Sequence, residues 1–233
     1  MNHKVRSILV GIAIVLRPNR LLMERSHLYI GLVALGFLSL SACKDSKKMN
    51  AHQYMAWFKD PDNGLTKEKI VNGYRLKIRY IPAEYLIYKE LMGNQKANKD
   101  SIAAYYKSNI SLVLSISPVS IDPKEGDRNI MYDGLEKFEE YKKRVFDLNF
   151  NMEQLVELQL DENTTLAPSI YNVENTYGLS RELNFNLVFS PNTAVKDFKK
   201  YEKIDIVLND YIFETGINHF VFEKKELDQL PIL

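Results

Sequence analysis

From Tyr74 to Tyr80 hydrophobic and cationic residues alternate without a break, with Tyr74, Leu76, Ile78 and Tyr80 at even positions and Arg75, Lys77 and Arg79 between them. A period of two puts successive side chains on opposite faces, so this stretch reads as a half-buried strand with one wet face. Ile110 to Ser117 alternates in the same way and predicts another strand. Beyond about residue 153 the texture turns β-rich, with short β-branched or aromatic runs at 155–160, 168–173, 182–189, 203–208 and 218–222. Turn-forming clusters separate them: Asp161-Glu162-Asn163, Asn175-Thr176-Tyr177-Gly178, Ser190-Pro191-Asn192, Asn209-Asp210 and Thr215-Gly216. Strands punctuated by turns every ten residues or so are the pattern of a sandwich or barrel.

Helical spacing appears in the first half. Tyr54, Met55 and Phe58 predict one or two turns within 52–58. Pro82 suits a first turn and Gly93 an end, with Tyr85, Leu86 and Met92 between, and a short helix is expected at 102–106. Leu135, Phe138, Tyr141, Val145 and Leu148 recur every three or four residues, opposite a face that includes Glu139, Glu140, Lys143 and Arg144. That face offers the i,i+4 pairs Glu139–Lys143 and Glu140–Arg144. The expected class is therefore α+β: a β-sandwich-like C-terminal half (about 150–230) packed against one or two helices from the N-terminal half. No Gly/Ser/Pro-rich linker divides 51–233, so this span is read as a single globular domain. The irregular stretch 118–134, with Pro118, Pro123, Gly126 and Gly134, is the one place a boundary would fall.

Upstream of the domain the pattern changes character. Leu28 to Leu40 is thirteen residues without a charge, preceded by Arg25. As a helix it reaches only about 20 Å against a hydrocarbon core of roughly 30 Å, too short to span and suited to a signal peptide. It ends at Leu40-Ser41-Ala42-Cys43, which contains the single cysteine of the chain. This ending resembles the lipobox of bacterial lipoproteins. The resemblance covers residues 23–43 and implies cleavage between Ala42 and Cys43, Leu40, Ser41 and Ala42 being recognised by the signal peptidase. It also implies that the Cys43 thiol carries a diacylglyceryl group and its freed amine a further acyl chain, since a single chain anchors only marginally. On this reading 1–42 is leader, 43–50 a lipidated polar tether and 51–233 the domain.

Ile8 to Leu16 is a second apolar run of nine residues, broken by Arg17-Pro18-Asn19-Arg20. Met23 is the preferred initiator, and one long double-humped leader the alternative. Lys44 lacks the aspartate that marks inner-membrane retention in lipoproteins of this kind, so the expected location is the cell envelope, at the outer membrane.

Removing the leader changes the charge balance. Residues 1–42 hold five of the 31 basic residues and one of the 30 acidic ones, which leaves 26 against 29, near −3. A mixed, slightly acidic surface argues against nucleic acid as partner. Without Cys43 there is no thiol for a disulfide or a thiolate metal site.

Only His52 and His219 remain as histidines of the domain, and neither lies in a paired metal motif, so neither metal nor cofactor is expected. His219 is read as a core or edge residue. Asp60-Pro61-Asp62-Asn63-Gly64 has acidic residues, but a calcium loop would need glycine and glutamate where Leu65 and Val71 stand, so a tight turn is expected. No Gly-x-Ser-x-Gly, phosphate-loop or dinucleotide fingerprint occurs, and no catalytic residue is assigned. The fourteen tyrosines and eleven phenylalanines suffice for a glycan or peptide platform, though strand spacing sends most to the core. The expected role is a membrane-anchored binding or assembly component, holding membrane lipid through Cys43 and an envelope protein, peptide or glycan through the domain. The alternative is a surface hydrolase acting on polysaccharide or peptidoglycan through a carboxylate pair, or through a carboxylate–histidine pair at His52 or His219.

Overall fold

The computed structural model describes residues 47–94, 96–119, 129–174 and 181–233. The leader and lipobox therefore lie outside the described residues, as do most of the irregular stretch 118–134 and the turn at 175–178. Among the described residues the order is α1 (Ala51–Lys59), β1 (Thr66–Val71), β2 (Tyr74–Ile81), α2 (Ala83–Gly93), α3 (Lys99–Ser108) and β3 (Ile110–Pro118). Then follow α4 (Phe138–Phe146), β4 (Val156–Gln159), β5 (Thr165–Leu166), β6 (Ile170–Val173), β7 (Leu183–Phe189), β8 (Lys203–Asp210), β9 (Gly216–Glu223) and α5 (Lys224–Leu227).

The strands form two antiparallel sheets, one ordered β1-β2-β3-β7-β6 and the other β5-β4-β8-β9. The fold is α+β, as the sequence predicts. The sandwich also draws on the first half of the chain, which supplies β1, β2 and β3 to the larger sheet. The chain runs from the small sheet at β4 and β5 to the large one at β6 and β7, then back at β8 and β9. This interleaving places both sheets in one compact unit.

The alternation read from the sequence is what joins the layers. In the large sheet, Leu76 pairs with Ile116 and Ile116 with Leu183, while Ile78 pairs with Leu114 and Leu114 with Phe185. All six side chains are buried, and they face Leu158, Ile206, Leu208, Phe220 and Phe222 of the small sheet in one continuous core. Each such side chain contributes about 1.5–3 kcal/mol by leaving water. A second, smaller cluster of Tyr54, Phe58 and Leu65, packed against Trp57, Tyr85, Leu230 and Leu233, seats α1. Asn50 caps that helix by accepting from the Gln53 amide, and the Gln53 side chain accepts from the Asn50 amide in return. Just upstream, Lys48 forms a parallel bridge with Ile232; the Met49 amide donates to the Ile232 carbonyl at 2.8 Å.

Two departures from the sequence reading are informative. Strand β1, Thr-Lys-Glu-Lys-Ile-Val, was not legible because it is an edge strand with most of its length open to solvent. Its charges keep an edge from pairing with another chain, at the expense of clean alternation. Asn72-Gly73, at φ 50° and 79°, turns the hairpin into β2, the left-handed pair that a two-residue hairpin requires.

The second departure is α4. Arg144, assigned to the wet face, is buried, and its guanidinium donates to the carbonyls of Ile130 (3.0 Å) and Asp133 (2.6 Å). Phe138, assigned to the dry face, is 69% exposed. The charged pairs differ too: Lys142 meets Glu139 and Lys143 meets Asp147, while Glu140 accepts from the Glu136 and Lys137 amides. The carbonyls of 130–133 satisfy a buried guanidinium, which reverses the order of burial that hydropathy alone suggests.

Candidate functional site

A cavity of about 240 Å³ opens at one end of the sandwich, where several elements finish or begin together. Its apolar lining is Tyr80 from the end of β2, Ile110 from the start of β3, Phe198 and Tyr201, Ile204 of β8 and Leu227 of α5. Around this floor stand Lys107 of α3, Lys196, Lys199, Lys203 of β8 and Lys224 of α5. The alternation of β8 explains the division: Ile204 turns inward to the core while Lys203 stays exposed at the mouth. A one-turn helix at Phe198–Lys200 shapes the remaining wall, with the Asp197 carboxylate accepting from the Lys199 amide at 3.0 Å.

The electrostatics of this mouth are one-sided. Two carboxylates, Asp197 and Asp228, also line it. Lys224 lies 3.5 Å from Glu202, whereas Lys107, Lys196, Lys199 and Lys203 have no ion pair with a described carboxylate. Five ammonium groups against two carboxylates leave a formal excess of three positive charges over an apolar floor. Burial, and then the Glu84 carboxylate, push the Tyr80 hydroxyl up to about 12, so this ring stays neutral at any physiological pH.

The outer face of the large sheet offers a second concavity of about 510 Å³, bounded by Phe58, Tyr85, Lys89 and Tyr106. The cations of the alternating β2 stretch reach toward this side, and each has a partner in the chain. Arg75 pairs with Glu68 at 2.8 Å and Lys77 with Glu182 at 3.0 Å. Arg79 covers the Phe58 ring and donates to the Phe58 carbonyl. Ser115 donates to Asn184 (2.7 Å), which donates to Glu174 (2.8 Å). The three β2 cations are thus engaged within the chain, although the buried Nε of Arg79 has no hydrogen-bond partner among the described residues.

The histidines fall elsewhere. His52 is exposed on α1. His219 lies on β9, the edge strand of the small sheet, its Nδ1 2.8 Å from Oδ2 of Asp205. This is the type of pair a hydrolase would use; it sits on the outer face of the sheet, where Asp205 is buried with an Oδ1 that has no hydrogen-bond partner among the described residues, Val207 lying opposite His219 and Val221 opposite Asp205. Neither His219 nor Asp205 lines the cavities described here. Among the described residues no group of three or more His, Cys, Asp or Glu is placed to hold a metal. None of their helices is long and apolar enough to cross a membrane.

The lysine rim escaped the sequence reading because its members span Lys107 to Lys224 and come from three stretches far apart in the chain. One local hint was present, the run Lys196-Asp-Phe-Lys-Lys-Tyr-Glu-Lys203, where aromatic residues are interleaved with cations.

No protein family and no curated protein matches this sequence. Among solved structures, a protein of unknown function from Burkholderia pseudomallei K96243 aligns over 76% of this chain and 87% of that one. The identity is 11% and the TM-score 0.35, a likeness too slight to carry an argument about fold or function.

Proposed function

We propose that this chain is a membrane-anchored binding lipoprotein of the cell envelope, held at the outer membrane through Cys43 and taking its ligand at the lysine-rimmed mouth. The observation that carries the reading is the set of four lysines without an ion pair to a described carboxylate around a preformed apolar floor. Like charges repel, and the lysines outnumber Asp197, Asp228 and Glu202 around them, so the mouth favours an anionic occupant.

The hydrolase reading gains one specific support, the presence of Asp197 and Asp228 at the same mouth. Against it, Asp197 is engaged in capping the helical turn that follows it, and the Asp205–His219 pair lies on the outer face of the small sheet, apart from the mouth.

The test is affinity capture of the tagged full chain from detergent-solubilised envelopes, beside a Lys199→Gln/Lys203→Gln variant. The expected result is a stoichiometric partner or anionic ligand that the wild type retains and the variant loses. Equal retention by both would remove the mouth from the reading. Glycan turnover that Asp228→Asn abolishes, with nothing retained, would establish the hydrolase instead.

A further inference from the structure

We propose that the lysine-rimmed mouth recognises a phosphoryl group carried on an apolar or aromatic body, presented by a lipid headgroup at the membrane to which the chain is tethered. The inference rests on the binding reading above and names the chemistry of its ligand.

Three features select that chemistry. The rim is built from lysines. An ammonium is a compact point charge with rotatable donors, suited to a compact polyanion, whereas planar carboxylates are best met by the bidentate fork of arginine. Lys107 and Lys224 converge on one opening with Lys196, Lys199 and Lys203 of a single eight-residue run. A monovalent anion would leave most of the excess charge there uncompensated, while a phosphate monoester brings close to two negative charges.

The floor selects against a bare ion. Phe198, Tyr201, Ile204 and Leu227 present rings and branched carbons beneath the lysines, a surface that inorganic phosphate would leave uncovered and an apolar body would cover. At about 240 Å³ the cavity falls below the roughly 300–1,000 Å³ of sites that enclose a whole drug-sized ligand. It accommodates the phosphate at the rim together with the apolar part next to it, with the remainder of a larger molecule left outside.

Position favours the lipid source. Asp228 lines the mouth, and four residues later Ile232 pairs with the segment Lys47–Met49. Four residues reach at most about 14 Å when extended. The mouth thus opens near Lys47, which follows Cys43 by four positions in the sequence, a short span that favours a ligand in the membrane if that cysteine is lipidated.

The experiment uses the full chain in an uncharged detergent. Calorimetry compares phenyl phosphate, inorganic phosphate and phenol, first at low salt and then near about 150 mM, where surface attraction is screened. Phenyl phosphate is expected to bind at least about tenfold tighter than either fragment, and Lys196→Gln/Lys199→Gln to weaken it by a further factor of about ten. Both lysines are exposed and without ion pairs to described residues, so the variant keeps the fold, which its circular dichroism verifies. In a second arm the chain is mixed with nanodiscs of phosphatidylcholine, with and without phosphatidic acid. Lysine-dependent binding that needs phosphatidic acid supports the lipid source. Phenyl phosphate binding without it moves the assignment to a soluble phosphate ester.

Phenyl phosphate no tighter than inorganic phosphate, or indifferent to the lysine variant, overturns the proposal. If phenyl phosphate fails while envelope capture still yields a lysine-dependent ligand, the chemical class falls and the binding reading stands. If both fail, the mouth is not the site.

Discussion

The guanidinium of Arg79 lies over the ring of Phe58, its central carbon 4.3 Å from the ring centroid. The opposite partner of that ring is Tyr85, stacked at 4.0 Å and 17°. Phe58 belongs to α1, Arg79 to β2 and Tyr85 to α2, so one aromatic ring joins three elements. Replacing Arg79 by leucine removes the cation over the ring and the donation to the Phe58 carbonyl, and is expected to lower stability by about 2 kcal/mol. Arg79→Lys keeps the charge but not the flat face, and should recover only part of it. Urea unfolding of the three proteins measures this; a lysine variant as stable as the wild type would show that charge alone matters.

Asp210 is a buried carboxylate that organises the β8–β9 connection. It accepts from the amides of Ile212 (2.9 Å), Phe213 (3.1 Å) and Thr215 (3.3 Å), and from the Thr215 hydroxyl at 2.6 Å. Asp210→Ala leaves those donors inside the protein without an acceptor, and is expected to cost about 2–4 kcal/mol. Thr215→Val removes only the hydroxyl and should cost about 1 kcal/mol. Hydrogen exchange of the Ile212, Phe213 and Thr215 amides separates loss of this loop from global unfolding, and the prediction requires those amides to lose protection first in Asp210→Ala.

Stability should fall on the alkaline side. Burial, followed by nearby Glu84, raises the hydroxyl pKa of Tyr54 and of Tyr80, the latter to about 12; burial, followed by Glu153, raises that of Tyr171. A folded-state pKa above the unfolded value means the native state holds its proton more tightly. The contribution is complete below the unfolded value of 10.0 and is lost as pH rises through the folded one. Each tyrosine still protonated when folded but ionised when unfolded removes about 1.4 kcal/mol per pH unit in that window. Tyr80→Phe should flatten the loss between pH about 10 and 12. Denaturant midpoints at pH about 8, 10 and 11, with tyrosinate absorbance followed in parallel, check it.

Attachment is expected to depend on Cys43. Cys43→Ser should accumulate as unprocessed precursor and incorporate no labelled fatty acid, and a variant that matures and labels normally would end the lipoprotein reading. Deleting residues 2–22 should leave export unchanged if Met23 is the initiator.

The strands were legible wherever one face meets the core and the other meets water. Leu183, Phe185, Leu187 and Phe189 alternate because all four are buried while Asn186 between them is exposed. The same logic fails at β1, where exposure on both sides removes the period, and at α4, where Arg144 is buried against carbonyls that no local spacing announces. Exposed rings defeat it as well. Tyr132 and Tyr141 stack at 4.7 Å with planes 3° apart, and Tyr132 is 57% exposed, although hydropathy would send it inward. The lysine mouth was the least legible feature, since convergence of segments as distant as Lys107 and Lys224 is a property of the fold and not of any window of sequence.

The parallel bridge between Lys48 and Ile232 sets how the domain would carry a mechanical load. A pull arriving from the direction of Cys43 meets two backbone hydrogen bonds first, Met49 to Ile232 and Ile232 to Lys47. Next along the chain is α1 with its small cluster around Tyr54 and Phe58, and only then β1 at the sheet edge. Tension is thus spent peeling the 230–233 segment and unseating one helix before it reaches the sandwich. On the proposed lipidation of Cys43, a moving membrane could tug the tether while the sheets, and the mouth at their end, keep their shape.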